Sequence, residues 1–296
     1  MPERGYVFLL GAAFFFSVMT VCVKLAGARL PAEQIILARA VIGLGLSAWA
    51  VRRTGLRPWG NATGLLLLRG VLGSGGLYCF FYAVTVLPLS EVTTIHYVNP
   101  VVTALLAAAL LGERIGRWLV VALAVSLSGV LVVARPQMIF GGAQTLDPAA
   151  VGIALLGATL AAGAYVTVRR LGKTDAPMVV VLWFPLVATP LFLPLALRVW
   201  VWPSPTEWLV LAGVGVSTQI AQVLLTRGLH LLPAGRGTAV GYVQIAFAMG
   251  WSALLFHERV DAMELGGAAL VVLGTTILLA TQPRGPAARP TVERRA

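Results

Sequence analysis

Ten apolar runs alternate along the chain with short polar joints, and each run is long enough to cross a hydrocarbon layer as a helix. About 20 helical residues, rising about 1.5 Å each, cover an apolar core of about 30 Å. The runs predict helices near 6 to 24, 32 to 51, 64 to 87, 91 to 112, 117 to 134, 149 to 169, 177 to 198, 207 to 227, 236 to 256 and 263 to 281. The joints hold residues that stop helices: Gly55 and Pro58, Pro88, Pro136 with Gly141 and Gly142, Pro203 with Pro205, and Pro233. The seventh run contains Pro177, Pro185, Pro190 and Pro194, each lacking a backbone donor, so this helix is expected to bend or break. The stretch 283–296, rich in Pro and Arg, reads as a disordered tail.

Composition agrees with the pattern. Hydrophobic residues make up 58% and charged ones 11% of 296 residues, a surplus that a soluble core of this size does not hide. Arg4 followed by the apolar run 6 to 23 has the outline of a secretory signal, but no convincing cleavage site follows. The net charge of +11 comes from residues placed singly or in small groups between runs, which speaks for topology and against nucleic acid. Threading the ten spans puts fifteen Lys and Arg on the side of the N-terminus and five on the other, so both termini are expected in the cytoplasm of an inner-membrane protein. Arg39 and Arg69 fall within spans. Cys22 and Cys79 lie in apolar runs and form neither a CxxC pair nor a ligand cluster. No metal site or cofactor is indicated.

The chain repeats itself. A shift of 145 residues aligns Leu87–Arg135 with Leu232–Ala280, with eleven identities in 49 pairs. Several of these are polar or turn residues that apolar bias does not match by chance: Pro88 with Pro233, Thr93 with Thr238, Tyr97 with Tyr242, and Glu113-Arg114 with Glu258-Arg259. A shift of 146 relates Leu10-Gly11-Ala12 to Leu156-Gly157-Ala158 and Pro31 to Pro177. Five spans per half is an odd number, so the second copy enters the membrane from the opposite side. The expected fold is an all-α membrane protein with ten transmembrane helices as two inverted five-helix repeats, 1–140 and 141–282.

The stretch from Arg69 to Ile115 resembles EamA-type members of the drug/metabolite transporter superfamily in its Leu-Pro turn, polar-tinged helix, Asn-Pro step and Gly-Glu-Arg end. The second half departs from this pattern, with Gln244-Ile245 in place of Asn99-Pro100 and His257 in place of Gly112. The resemblance covers residues 6 to 281 and implies alternating access around a central cavity. That cavity would be lined mainly by the third, fourth, eighth and ninth helices, with help from the first and sixth. Relatives of this kind carry amino acids, nucleotide sugars, S-adenosylmethionine, riboflavin or drugs.

Polar side chains at helical spacing inside apolar spans must face protein or water, because lipid leaves them unsatisfied. The substrate-binding candidates are Arg39, Tyr78, Tyr82, His96, Tyr97, Asn99, Gln219, Gln222, Tyr242 and Gln244. Arg39 is read either as an anion-binding cation or as a structural residue that pairs with Glu33 or backbone carbonyls, or snorkels. Arg69, nearer a helix end, is read as snorkelling. His96 is either a proton-coupling group or a neutral hydrogen-bonded residue. Glu113, Arg114, Glu258 and Arg259 are either gates or hairpin clamps. Small residues at Ala122, Ser126, Gly129, Gly267, Val271 and Gly274 fit a seam between two chains or between the halves.

These features favour a secondary transporter of small polar metabolites, amino acids or related carboxylates, acting in the lipid bilayer as a monomer or homodimer. A non-transporting sensor or assembly partner stands as the alternative. An intramembrane enzyme fits less well, since the chain has no HExxH and no nucleophile with a base at the same depth.

Overall fold

The structure, a computed structural model, describes residues 2–136, 139, 146–256 and 261–281. Twelve helices are found among them: α1 (Pro2–Ala26), α2 (Ala32–Arg53), α3 (Thr63–Val86), α4 (Leu89–His96), α5 (Asn99–Leu111), α6 (Arg117–Ala134), α7 (Pro148–Leu171), α8 (Pro177–Arg198), α9 (Pro205–Leu231), α10 (Ala234–Val240), α11 (Gln244–Phe256) and α12 (Ala262–Ala280). They make ten spans, because α4 with α5 forms the fourth and α10 with α11 the ninth. The predicted tail and mid-chain Gly141-Gly142 lie outside the described residues, as do His257, Glu258 and Arg259.

Packing follows the repeat. The α1–α9 contact has its image in α3–α7, and α2–α9 has its image in α3–α8. The pair α5–α7 is mirrored by α1–α11. Two pairs of repeat mates meet each other directly, α2 with α8 and α6 with α12, and the fourth and ninth spans meet through α5 and α10. A pseudo-two-fold axis between the halves accounts for the mirrored pairs and for the meeting of the mates. Exposed Leu67, Val71, Leu110, Leu209 and Leu254 present an apolar exterior suited to lipid, with exposed tryptophans near both ends: Trp49, Trp59 and Trp118 at one, Trp202 and Trp208 at the other.

The α6–α12 seam is where the small residues go. A Cβ on Gly129 would come within 2.5 Å of the Gly267 carbonyl and 2.9 Å of the Val271 amide, while one on Gly274 would meet the Ala122 carbonyl at 2.8 Å. The stripe joins the two halves of one chain, and only glycine allows the backbones this close.

Loop contacts order the two ends. The Asn61 amide and side chain donate to Asp175 Oδ1 and the Thr174 carbonyl, both at 2.6 Å, so loops 54–62 and 172–176 share an end. At the other end Arg29 Nε donates to Glu207 Oε1 at 2.7 Å, and Gln34 bonds both ways with the Val201 backbone. Arg135 pairs with Asp261 there as well. The Asp261 carboxyl is held below the usual carboxylate range, first by the Glu264 amide that it caps and then by Arg135.

The helix breaks do not fall in the span rich in proline. The seventh span is a single helix through Pro185, Pro190 and Pro194, with Pro177 in its first turn where no donor is needed. The breaks occur in the fourth and ninth spans, each expected to be a single helix. Val101 donates to the Val98 carbonyl instead of continuing the ladder, since Pro100 offers no donor and interrupts it. In the ninth span a 3-10 turn over Gly241–Val243 occupies the equivalent place.

Candidate functional site

The two breaks face each other. Tyr97 and Tyr242 stack with ring centroids 5.8 Å apart and planes 28° from parallel. The Tyr242 hydroxyl donates to the Tyr97 carbonyl at 2.7 Å, the oxygen released where the fourth span is interrupted. Paired interruptions at corresponding positions of inverted halves mark where transporters of this architecture bind their cargo.

Two arginines within the spans converge on one aromatic ring. Arg69, on α3, is only 3% exposed, so it is a buried residue and does not snorkel as expected. Its guanidinium carbon sits 5.1 Å from the Phe184 ring centroid on α8, and that of Arg39 on α2 sits 5.5 Å from the same centroid. Arg69 Nη2 donates to Gln222 Oε1 at 3.3 Å. Gly73, one turn along α3, leaves the space that this guanidinium occupies. Among the described residues neither arginine has an ion-pair partner, and Nε of each is buried without a hydrogen bond. Pairing with Glu33, one of the alternatives for Arg39, is not formed. Tyr165 on α7 lies within electrostatic reach of both guanidinium groups and of Tyr97.

The other candidates are held in separate contacts. Gln219 Nε2 donates to Ser47 Oγ at 2.7 Å, tying α9 to α2. Asn99 Oδ1 accepts from Thr103 Oγ1 at 2.9 Å, so this pair is satisfied within α5. His96 packs its ring 4.9 Å from Phe80 and 6.3 Å from Tyr97. Gln244 is half-buried at the first position of α11. Tyr78 and Tyr82, 46% and 41% exposed, lie on the apolar stripe with Leu68 and Val71. Tyr78 is nine residues from Arg69, two and a half helical turns, and so projects from the opposite side of α3.

Glu113 does not pair with Arg114, which is exposed on the following loop. Its Oε1 accepts from Arg169 Nε at 2.9 Å, and its Oε2 accepts from the Ala234 amide, the first residue of α10, at 2.8 Å. Arg169 Nη1 in turn donates to the His230 carbonyl at 2.8 Å. One carboxylate thereby ties together the ends of the fourth, sixth, eighth and ninth spans, and Tyr165 stands one turn deeper on α7 than Arg169. Its repeat mate Glu258 and the neighbouring Arg259 lie outside the described residues.

Sequence reasoning missed Arg69, Tyr165, Phe184 and Arg169 as site residues. Arg169 looked like a topogenic charge and Phe184 like one more apolar residue in its run. Tyr165 gave the one usable signal, a phenol inside an otherwise apolar span four residues before Arg169.

Comparison with known proteins agrees with this architecture. The model of the EamA-like transporter family matches residues 3–135 and 149–280. The pseudopaline exporter CntI of Pseudomonas aeruginosa PAO1 is 34% identical, covering 95% of this chain and 97% of that protein. An S-adenosylmethionine uptake transporter of Rickettsia conorii is 23% identical over 74% of this chain and 72% of its own length. A solved crystal structure 19% identical in sequence, covering 94% of this chain and 96% of its own, aligns with a TM-score of 0.80 and shares the fold.

Proposed function

The chain belongs to the EamA-like transporter family and is a multi-pass membrane transporter, and from that premise we propose that it moves small carboxylate-bearing metabolites, amino acids or related solutes, across the inner membrane by alternating access. The observation that carries this reading is the unpaired buried cation at Arg69, with Arg39 on the same aromatic ring. One relative is named for pseudopaline and another for S-adenosylmethionine, so family membership fixes no cargo and the charge of the site supplies the class. A guanidinium kept from water needs oxygens, and a carboxylate brings two in the matching fork geometry.

In this reading the halves, 1–140 and 141–282, rock about the axis through Tyr97 and Tyr242. The Glu113–Arg169 clamp closes the cytoplasmic end beneath the site, and both termini, with the tail 283–296, face the cytoplasm. Gln222 orients Arg69, while Gln219, His96, Asn99 and Gln244 line or brace the cavity. Tyr78 and Tyr82, on the apolar exterior stripe, are left out.

Counterflow in proteoliposomes with labelled amino acids and carboxylates tests the transport claim, and flux of neutral solutes alone would end it. Arg39→Lys is expected to weaken uptake by about 1–3 kcal/mol of binding, the scale of a charged hydrogen bond, with melting temperature unchanged. Wild-type affinity in Arg39→Gln would remove Arg39 from the site. For topology, a single cysteine at position 202 should label only from outside and one at position 55 only from the cytoplasm.

A further inference from the structure

The site holds two cations, and their number says more about the cargo than their presence does. Arg39 and Arg69 share Phe184 as their aromatic neighbour, so their guanidinium carbons lie no further apart than their two distances from that ring together. No Asp or Glu among the described residues pairs with either, and the groups that meet them include the neutral amide of Gln222 and the phenol of Tyr165. Two like charges in a medium of low dielectric repel each other and have each lost much of their hydration. One carboxylate would neutralise one of them and leave the other unpaired.

Resting on the carboxylate-carrier reading above, we propose that the preferred substrate carries two carboxylates, one for each of Arg39 and Arg69. A four- or five-carbon diacid places its carboxyl carbons about 4–5 Å apart, given carbon–carbon bonds of about 1.5 Å. That span lets each end meet its own guanidinium within the limit set by the shared ring. The donors are two planar forks, the geometry that fits carboxylates one to one. Gly73 is the complementary feature on α3, since any side chain there would collide with Arg69 Nη1 and push it from the ring.

The test is binding of matched pairs to the purified protein: succinate against its monoamide succinamate, and glutarate against its monoamide glutaramate, by thermal shift and titration calorimetry. Each pair is nearly isosteric and differs by one charge. Each diacid is expected to bind about tenfold or more tightly than its monoamide, the scale of one charge-assisted hydrogen bond. In Arg39→Gln or Arg69→Gln that preference should collapse to near unity, and the wild-type comparison stands even if a variant folds poorly. Equal binding of diacid and monoamide would overturn the two-carboxylate proposal and leave the carboxylate-carrier reading in place. Inorganic phosphate binding as tightly as either diacid would overturn it in favour of a single dianionic group. Absence of binding by all four carboxylates, with flux of neutral solutes in liposomes, would overturn both readings.

Discussion

Replacing Gly73 with alanine adds one methyl group at the point where α3 supports the Arg69 guanidinium. The new Cβ would collide with Arg69 Nη1 and come within 3.0 Å of Phe184 Cδ2. The first of these is the free end of a long side chain, so the expected response is displacement of the guanidinium and not loss of the fold. Alanine in a helix interior is worth about 0.8–1.0 kcal/mol over glycine, which offsets part of the lost contacts of Arg69 with Gln222 and Phe184, together about 2–4 kcal/mol. Net stability should therefore fall by about 1–3 kcal/mol, short of unfolding the chain. Affinity for an anionic substrate should fall by about 1.5–3 kcal/mol, roughly 10- to 150-fold, because a charged hydrogen bond to the ligand is misplaced. Gly64→Ala, in the first turn of the same helix, is the control, since its Cβ would meet nothing within 4 Å. Dissociation constant and melting temperature measured on the same preparations decide the matter. Equal affinities in the two variants would refute the placement of Arg69 in the substrate site.

Further outcomes follow from other contacts. Gly129→Ala should destabilise the chain by about 1–3 kcal/mol, since the methyl group meets backbone that cannot turn aside, whereas Gly266→Ala, with open space around it, should not; denaturation midpoints in detergent check this. Glu113→Ala leaves Arg169 Nε and the Ala234 amide without their acceptor and should cost about 1.5–3 kcal/mol while raising leak across proteoliposomes; unchanged stability and leak would argue against a clamp. Tyr242→Phe keeps the stacked ring but orphans the Tyr97 carbonyl, so a loss of about 1–2 kcal/mol in thermal stability is expected. The folded-state depression of the Asp261 carboxyl adds stability that is complete above the ordinary carboxylate range near 3.9 and is lost as pH falls through the folded value. Asp261→Asn should flatten that acid limb of the melting curve, and an unaltered limb would assign it to other groups.

The chain alone determines the class and the plan of this protein. Length and spacing of apolar runs set ten spans, because the bilayer imposes one length on every helix. The 145-residue register made the meeting of Tyr97 with Tyr242 readable in advance, since a two-fold axis brings equivalent positions of inverted halves together. It did not reveal that the fourth and ninth spans break there, nor that the four prolines of the seventh do not break it, because helix continuity in a membrane depends on what neighbours do with the freed backbone groups. The small-residue stripe of α6 and α12 suited two partners equally well in sequence, and only packing chose the other half of the same chain. The same holds for charge. A positive side chain near a span end looks alike whether it reaches outward to the interface or inward to the core, and Arg69 turns inward because Gly73, Phe184 and Gln222, drawn from three different spans, converge to receive it. That convergence, between residues as far as 153 positions apart, exists only in the folded bundle.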